Sequence, residues 1–340
     1  MRTLIVRYTQ ELLQRWQPDD QIDFVQMQSL ILRIIMKIIV DVDVNRESVE
    51  VGAFIEEILE QPASLAGGLL NLRIDLPITT YGKRMAAKRR ADAYVHELIE
   101  RRLADKRDVG DVLSILLEAH GQQNEDGLTN PQVRDELLAL VTAGYETTTN
   151  SIAWTHYLLG RHPAVLQKVI AELEGVLAGR TPQVDDLPRL TYFEHVIKGS
   201  MRLYPSAWTQ GRQAVEAFDL DDYHFPAGTM IMFSQWVLHR LPDIWTDPHA
   251  FRPERWDLID GEDMYRCAYF PFGRGSRICL DTPLAELEIR LILATILQEY
   301  MPIPATVQPV VPLPLITLRL KDGLPITLAP TGLNCAKAAS

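Results

Sequence analysis

The sequence predicts a mainly α-helical protein carrying a few small β-sheets. Three observations carry that reading. Apolar residues recur at helical spacing through most of the first two-thirds of the chain. From Arg212 onward, short β-branched and aromatic runs alternate with Pro, Gly and Asp. The composition, 47% hydrophobic and 23% charged over 340 residues, is that of a globular chain, long for one core unless a cofactor organises the interior.

The elements follow in order. Residues 22–42 and 47–60 are expected as helices, and 81–120 as two more with a break near Val109 and Gly110. In the most apolar stretch, 30–40, Arg33 and Lys37 stand four apart on one face of a helix whose other sides are Ile, Leu and Met. That stretch is too short to span a bilayer and reads as a buried amphipathic helix. Thr129-Asn130-Pro131-Gln132 opens the next helix: Thr caps, Pro suits the first turn because its missing N–H is not needed there, and Gln132 completes a capping box. The apolar pattern then runs to about Leu159, a helix roughly 45 Å long at about 1.5 Å per residue. Helices are also expected at 163–177, 192–203 and 284–300. Short strands are expected at 212–217, 223–225 and 230–233, with Pro226-Ala227-Gly228 as a turn. Residues 316–320 and 324–328, joined by Lys321-Asp322-Gly323, read as a hairpin. A Pro- and aromatic-rich meander fills 241–271, one domain is expected over 1–330, and 331–340 reads as a flexible tail.

The charge balance narrows the function. With 34 basic and 45 acidic side chains the net charge is −11, the wrong sign for a chain that must neutralise phosphates, so no nucleic acid is expected as a partner. Cys267, Cys279 and Cys335 form no CxxC pair and have no second Cys or His cluster at zinc-ligand spacing. An odd, sparse set fits a reducing compartment, and with no secretory signal or membrane segment in the chain the expected location is cytoplasmic.

One of those cysteines sits in a distinctive segment. Residues Phe270-Pro271-Phe272-Gly273-Arg274-Gly275-Ser276-Arg277-Ile278-Cys279 form a glycine-bearing loop that delivers a cysteine to a helix N-terminus, where backbone N–H groups stabilise a thiolate. Glycines allow close approach to a flat ligand, and Arg277 offers a cation for an anionic group. A buried structural cysteine is the plain alternative. A phosphate-binding loop fails, because Ile278 stands where its third glycine belongs and no strand-helix-strand unit follows.

Phe272, Gly275, Arg277 and Cys279 resemble the heme-binding signature FxxGxRxCxG of the cytochromes P-450, matching every position but the last, where Asp281 stands. Three further segments resemble family motifs in the family's order: Ala143-Gly144-Tyr145-Glu146-Thr147-Thr148, the oxygen-activation motif of a long central helix; Met201-Arg202-Leu203-Tyr204-Pro205, the end of the helix bearing the ExxR pair; and Phe251-Arg252-Pro253-Glu254-Arg255-Trp256, the meander motif.

The resemblance implies a cytochrome P-450 fold lacking its N-terminal strands and first helices, with heme b (iron protoporphyrin IX) as cofactor. It makes Cys279 the metal ligand and Gly144, Arg212, Phe272, Gly275 and Arg277 cofactor-binding, with Arg212 and Arg277 meeting the propionates. Glu146 and Thr147 become an acid-alcohol pair for proton delivery, which favours oxygen-dependent over peroxide-driven chemistry. The implied reaction inserts one oxygen atom from O2 into a lipophilic small molecule, with electrons from a ferredoxin or flavoprotein reductase. Arg274, Arg277 and Arg290 are candidate contacts for such an acidic donor, or ordinary solvated surface. An inactive member of the family and a non-catalytic heme-binding module remain alternatives. Three departures bear on them, the first being the expected absence of the N-terminal block. Gly199 replaces the Glu that should pair with Arg202 and Arg255, leaving Glu254 as a substitute partner for Arg202 and an acid restored at 199 as an expected gain in stability. Asp281 suits a helix N-terminus and tolerates left-handed backbone, while its charge would oppose the thiolate.

Overall fold

Amphipathic helices build most of the molecule, and among the described residues small sheets, largely antiparallel pairs, supply the β structure. The structure, a computed structural model, describes residues 2–22, 24–44, 75–105, 108–121, 127–259, 267–324 and 326–331. The helix expected at 47–60, Cys335 and nearly all of the expected tail lie outside them. The chain divides into two compact units, Met1–Thr149 and Asn150–Ser340.

The first unit holds α1 (Arg2–Leu13), the two-residue strand β1 (Gln21–Ile22), α2 (Phe24–Val40), α3 (Thr80–Asp105), α4 (Val112–Gly121) and the first part of α5 (Asn130–Arg161). As the pattern predicts, α2 buries Ile31, Leu32, Ile34 and Ile35. Its two cations are accommodated by ion pairs. Arg33 meets Glu11 of α1 and Asp43, each at 2.6 Å, and lies 3.6 Å over the Tyr8 ring, while Lys37 pairs with Asp41 at 2.6 Å. Arg102 closes α3 onto its neighbours, binding Asp111 at 2.7 Å and the Val40 carbonyl at 2.9 Å. Asp111 in turn accepts the Ser114 N–H at 2.8 Å and caps α4. Burial acts to raise the Asp111 pKa, but the hydrogen bonds from Arg102 and Ser114 outweigh it and leave the carboxyl lowered. Gly110, at φ +69°, makes the expected break between α3 and α4. The capping box at the start of α5 is formed: the Thr129 N–H donates to Gln132 Oε1 at 2.8 Å and the Gln132 N–H to Thr129 Oγ1 at 3.4 Å.

The second unit continues α5 and adds α6 (Pro163–Leu177), α7 (Thr191–Leu203), α8 (Gln235–Leu238), α9 (Trp256–Ile259) and α10 (Thr282–Leu297). Glu172 of α6 caps α7 from outside, accepting the Tyr192 and Phe193 N–H groups at 2.9 and 2.8 Å, where a helix N-terminus favours a carboxylate. The α5 part is tied down by Trp154 Nε1 to the Leu318 carbonyl at 3.0 Å and by Asn150 to Thr317 Oγ1 at 3.0 Å. Glu288, Ile289 and residues 291–297 of α10 are buried.

The β elements depart from expectation. Strand β2 (Gln210–Gln213) pairs with β5 (Met230–Phe233), Arg212 facing Ile231, so the strand expected at 212–217 starts earlier and ends at 213. A strand not foreseen, β3 (Phe218–Leu220), forms a hairpin with β4 (Tyr223–Phe225) around Asp221 at φ +51°. The hairpin of 316–320 with 324–328 does not form. Instead β8 (Leu318–Leu320) pairs with β7 (Pro312–Pro314), and β9 (Ile326–Pro330) pairs with the distant β6 (Tyr300–Pro304). The turn itself exists, with Gly323 at φ +75°, but each flanking strand finds a better-placed partner elsewhere. The last helix ends at Leu297 because Tyr300 enters β6.

Gly160 lies where α5 meets β6. A Cβ there would stand 3.0 Å from the Pro302 carbonyl oxygen and 3.1 Å from Pro304. Alanine favours an isolated helix over glycine by about 1 kcal/mol, but overpacking against backbone costs about 1–3 kcal/mol. Gly160→Ala is therefore expected to lower the melting temperature; an unchanged or higher value would show that β6 yields freely.

Candidate functional site

The cysteine loop is built by left-handed glycines and short main-chain bonds. Gly273 and Gly275 adopt φ +75° and +78°. A Cβ at Gly273 would also meet Gln210 Nε2 at 3.0 Å, whereas Gly275 has open space around it, so its backbone conformation alone calls for glycine. The Gly273 N–H donates to the Phe270 carbonyl and the Cys279 N–H to the Phe272 carbonyl, both at 2.9 Å. The chain thus doubles back on itself and presents Cys279, whose thiol is free and exposed. Ile278 and Leu280 beside it are also exposed, at 53% and 86%, and so is Arg277, while Phe272 is half-buried. Asp281 is the N-cap of α10 at φ −99°, in ordinary backbone and without a side-chain capping bond, and burial raises its pKa. Left-handed tolerance is not needed there.

Among the described residues no group of three or more His, Cys, Asp or Glu side chains could hold a metal ion. A lone thiol flanked by apolar side chains and an arginine instead fits an iron porphyrin, an apolar disc with anionic edges that needs one axial protein ligand. Arg212 on β2 is exposed, with one guanidinium N–H on the Gly211 carbonyl at 2.8 Å. Arg290 is not open to an electron donor as Arg277 is: it pairs with Glu194 at 3.2 Å and is 19% exposed.

Behind the loop lies the buried Arg202 of α7. Its guanidinium donates to three main-chain carbonyls, those of His239 and Pro248 at 2.7 Å and of Ala250 at 2.9 Å. Arg255 also reaches backbone, at Thr246 (3.0 Å), Asp247 (3.3 Å) and the same Ala250 oxygen (3.3 Å). Burial first, then repulsion from Arg255 and Arg240, lowers the Arg202 pKa to about 9, still above neutrality. The substitute partner expected in Glu254 is elsewhere: that carboxylate binds Lys168 Nζ at 2.6 Å and the Tyr192 hydroxyl at 2.9 Å. Carbonyl oxygens, not a carboxylate, replace the acid missing at Gly199.

His239, which belongs to none of the motifs read from the sequence, joins these two regions. Its Nδ1 is 3.2 Å from the Arg202 carbonyl and its Nε2 accepts the Phe270 N–H at 3.1 Å. Burial lowers its pKa to about 3, with Arg202 and Arg240 adding to the effect. Its sequence signal is a histidine following the apolar residues Trp236, Val237 and Leu238.

The acid-alcohol pair belongs to the first unit. Glu146 is 4% exposed on α5, and the Thr147 hydroxyl donates to the Ala143 carbonyl one turn back at 2.7 Å. A Cβ at Gly144 would stand 3.0 Å from Ile35 Cδ1 of α2, so close helix packing accounts for this glycine.

A mainly helical fold with small antiparallel sheets, and a solitary cysteine on a glycine loop before a helix, define the class of heme-thiolate proteins. The Cytochrome P450 family profile matches residues 1–321. The chain therefore belongs to the cytochrome P450 family, whose cofactor is heme b. It is 39% identical over 223 residues to cyclooctat-9-en-7-ol 5-monooxygenase and 35% identical over 232 residues to cyclooctatin synthase, both of Streptomyces melanosporofaciens. These alignments cover 64% and 65% of this chain but 49% and 50% of the relatives, so the chain spans about half the length of the curated relatives it matches. The structure of a retinoic acid-bound cyanobacterial CYP120A1 superposes with a TM-score of 0.83 at 25% identity, covering 96% of this chain and 73% of that one.

The Gly199 site yields a double-mutant test. A Cβ at 199 would lie 3.1 Å from the Phe251 ring and 3.8 Å from Trp256 Nε1. Gly199→Glu alone is therefore expected to lower the melting temperature, contrary to the gain anticipated from the motif. Combined with Phe251→Leu, the acid can reach Arg202 Nε and Trp256 Nε1, neither of which has an acceptor among the described residues. The cycle should return a favourable coupling of about 1 kcal/mol or more. A coupling of zero would mean that the carbonyls already satisfy Arg202.

Proposed function

We propose that this chain carries the cofactor-binding part of a heme-dependent monooxygenase that inserts one oxygen atom from O2 into a lipophilic small molecule. The observation that carries the reading is the exposed Cys279 thiol on its left-handed glycine loop, in a chain whose family binds heme b. When bound, heme b held by the Cys279 thiolate would supply oxygen activation, to which the electron-rich sulfur contributes.

The chain's own residues do the rest. Cys279 would hold the iron, its loop fixed by the Cys279 N–H to Phe272 carbonyl bond. Phe272 and Gly275 would shape the approach, and Arg277 and Arg212 would neutralise the propionates. Glu146, shielded from solvent, and the Thr147 hydroxyl, which can turn away from the Ala143 carbonyl, form the acid-alcohol pair for proton delivery. Relatives named for cyclooctat-9-en-7-ol and retinoic acid support a lipophilic substrate. A ferredoxin or flavoprotein reductase is the proposed electron source, with the exposed Arg274 as a contact. Among the described residues no helix is long and apolar enough to cross a membrane, and Cys267 and Cys279 are free thiols, which supports work in the reducing cytoplasm.

Two measurements test the assignment. Protein reconstituted with heme, reduced and exposed to carbon monoxide, should show the red-shifted Soret band of a thiolate ligand. Cys279→Ala should abolish it while Cys267→Ala leaves it intact; a band that survives loss of Cys279 refutes the ligand. In a preparation that turns over, Thr147→Ala should divert electrons from product to hydrogen peroxide at unchanged heme content. Unaltered coupling between electrons consumed and product formed would remove Thr147 from proton delivery.

A further inference from the structure

We propose that His239 is a positioning residue for the cysteine loop, acting as a neutral imidazole of one fixed tautomer that ties the end of α7 to Phe270. The proposal rests on the reading of Cys279 as the iron ligand, but its geometry is independent of heme. Every partner of the ring has a fixed hydrogen-bond role. The Arg202 carbonyl can only accept, so Nδ1, 3.2 Å away, carries the proton. The Phe270 N–H can only donate, so Nε2, at 3.1 Å, offers its lone pair. A doubly protonated ring would set one N–H against another.

The ring is 0% exposed and cannot exchange either partner for water. It is confined by the Tyr269 ring at 5.4 Å and the Phe270 ring, edge-on at 5.5 Å. Its own main chain is held as well, because the His239 carbonyl accepts from Arg202 at 2.7 Å and its N–H donates to Gln235 at 2.9 Å. From Phe270 the restraint passes along the loop by bonds already described, Phe270 carbonyl to Gly273 N–H and Phe272 carbonyl to Cys279 N–H. Three successive hydrogen bonds thus separate the imidazole from the cysteine main chain. Metal-ligand loops depend on such supporting contacts, whose loss weakens the site without touching the ligand.

Substitutions can separate the two ends of the ring. His239→Gln places a side-chain oxygen near Nε2 and keeps an acceptor for Phe270. His239→Asn places its amide near Nδ1 and keeps only the Arg202 bond. His239→Phe keeps the ring and neither bond. In the full chain without heme, the rate of Cys279 alkylation by a small reagent is measured against Cys267 by peptide mass mapping. In the heme-loaded chain, the fraction of carbon-monoxide complex in the red-shifted band is measured. Asn and Phe should raise the Cys279 to Cys267 rate ratio by about threefold or more as the loop opens locally, and should lower the red-shifted fraction. Gln should stay near wild type in both. Any other ordering overturns the proposal, including Gln and Asn behaving alike or Phe behaving as wild type. If the Phe variant does not fold, the Gln and Asn pair decides. Failure of the heme reading is visible separately, since Cys279→Ala would then leave the red-shifted band while the alkylation ratios stand.

Discussion

A single buried cation organises the second unit. Arg202 is 1% exposed, and a guanidinium in that position must have its charge and its donors answered inside the protein. Three carbonyls from residues 239, 248 and 250 do so. They belong to a stretch with little regular structure, so the cation imposes a shape that the segment's own backbone pairing does not. Lysine could not replace it, since the planar fork reaches several acceptors at once where an ammonium is a point charge on a flexible stem. Arg255, meeting the same Ala250 oxygen from the meander side, makes that carbonyl a shared node between two cations.

The cysteine loop inherits its order from this node. Arg202 holds the His239 main chain, the His239 ring holds Phe270, and Phe270 begins the doubled-back loop that ends at Cys279. Packing reinforces the same path: Trp245, Trp256 and Ala268 form a core cluster with Tyr269 packed on it, and the Trp256 and Tyr269 rings meet edge to face at 4.7 Å. An exposed thiol can therefore sit on a loop rich in left-handed glycines without the loop being loose. Rigidity comes from the side chains packed behind the loop.

The sequence made the helices legible because their signals are local. The capping box at Thr129 and the Pro at the start of 163–177 are read within a few residues, and both helices lie where expected. The turn at Gly323 was equally legible, yet its two strands pair with 312–314 and 300–304, because strand partners are chosen by long-range packing that a short window does not contain. The same divide runs through the site. The residue spacing around Cys279 announced the loop. Nothing in the spacing announced that Arg202 would take carbonyls, since a main-chain oxygen carries no sequence signature, nor that Glu254 would be drawn away by Lys168 and Tyr192. His239 is hard to single out for a related reason: a histidine outside any motif carries no sign of its role until both of its nitrogens are seen to have partners.

The exchange of a carboxylate for carbonyls has its own physical consequence. A carboxylate cancels a cation's charge, whereas carbonyl dipoles solvate it and leave the net charge in place. Arg202, Arg240 and Arg255 consequently repel one another in a region where screening is weak, and Arg202 Nε, Trp256 Nε1 and Ser200 Oγ keep no partner among the described residues. Each such buried group costs about 1–3 kcal/mol. The arrangement persists because apolar contact fills the place of the acid: the Phe251 ring lies against Gly199, and Phe251 and Trp256 are themselves buried. Stability at this point is carried by packing and geometry by the carbonyls, two functions that an ion pair would have combined. A fold that keeps them separate can lose the acid and still hold the histidine, and with it the cysteine loop, in place.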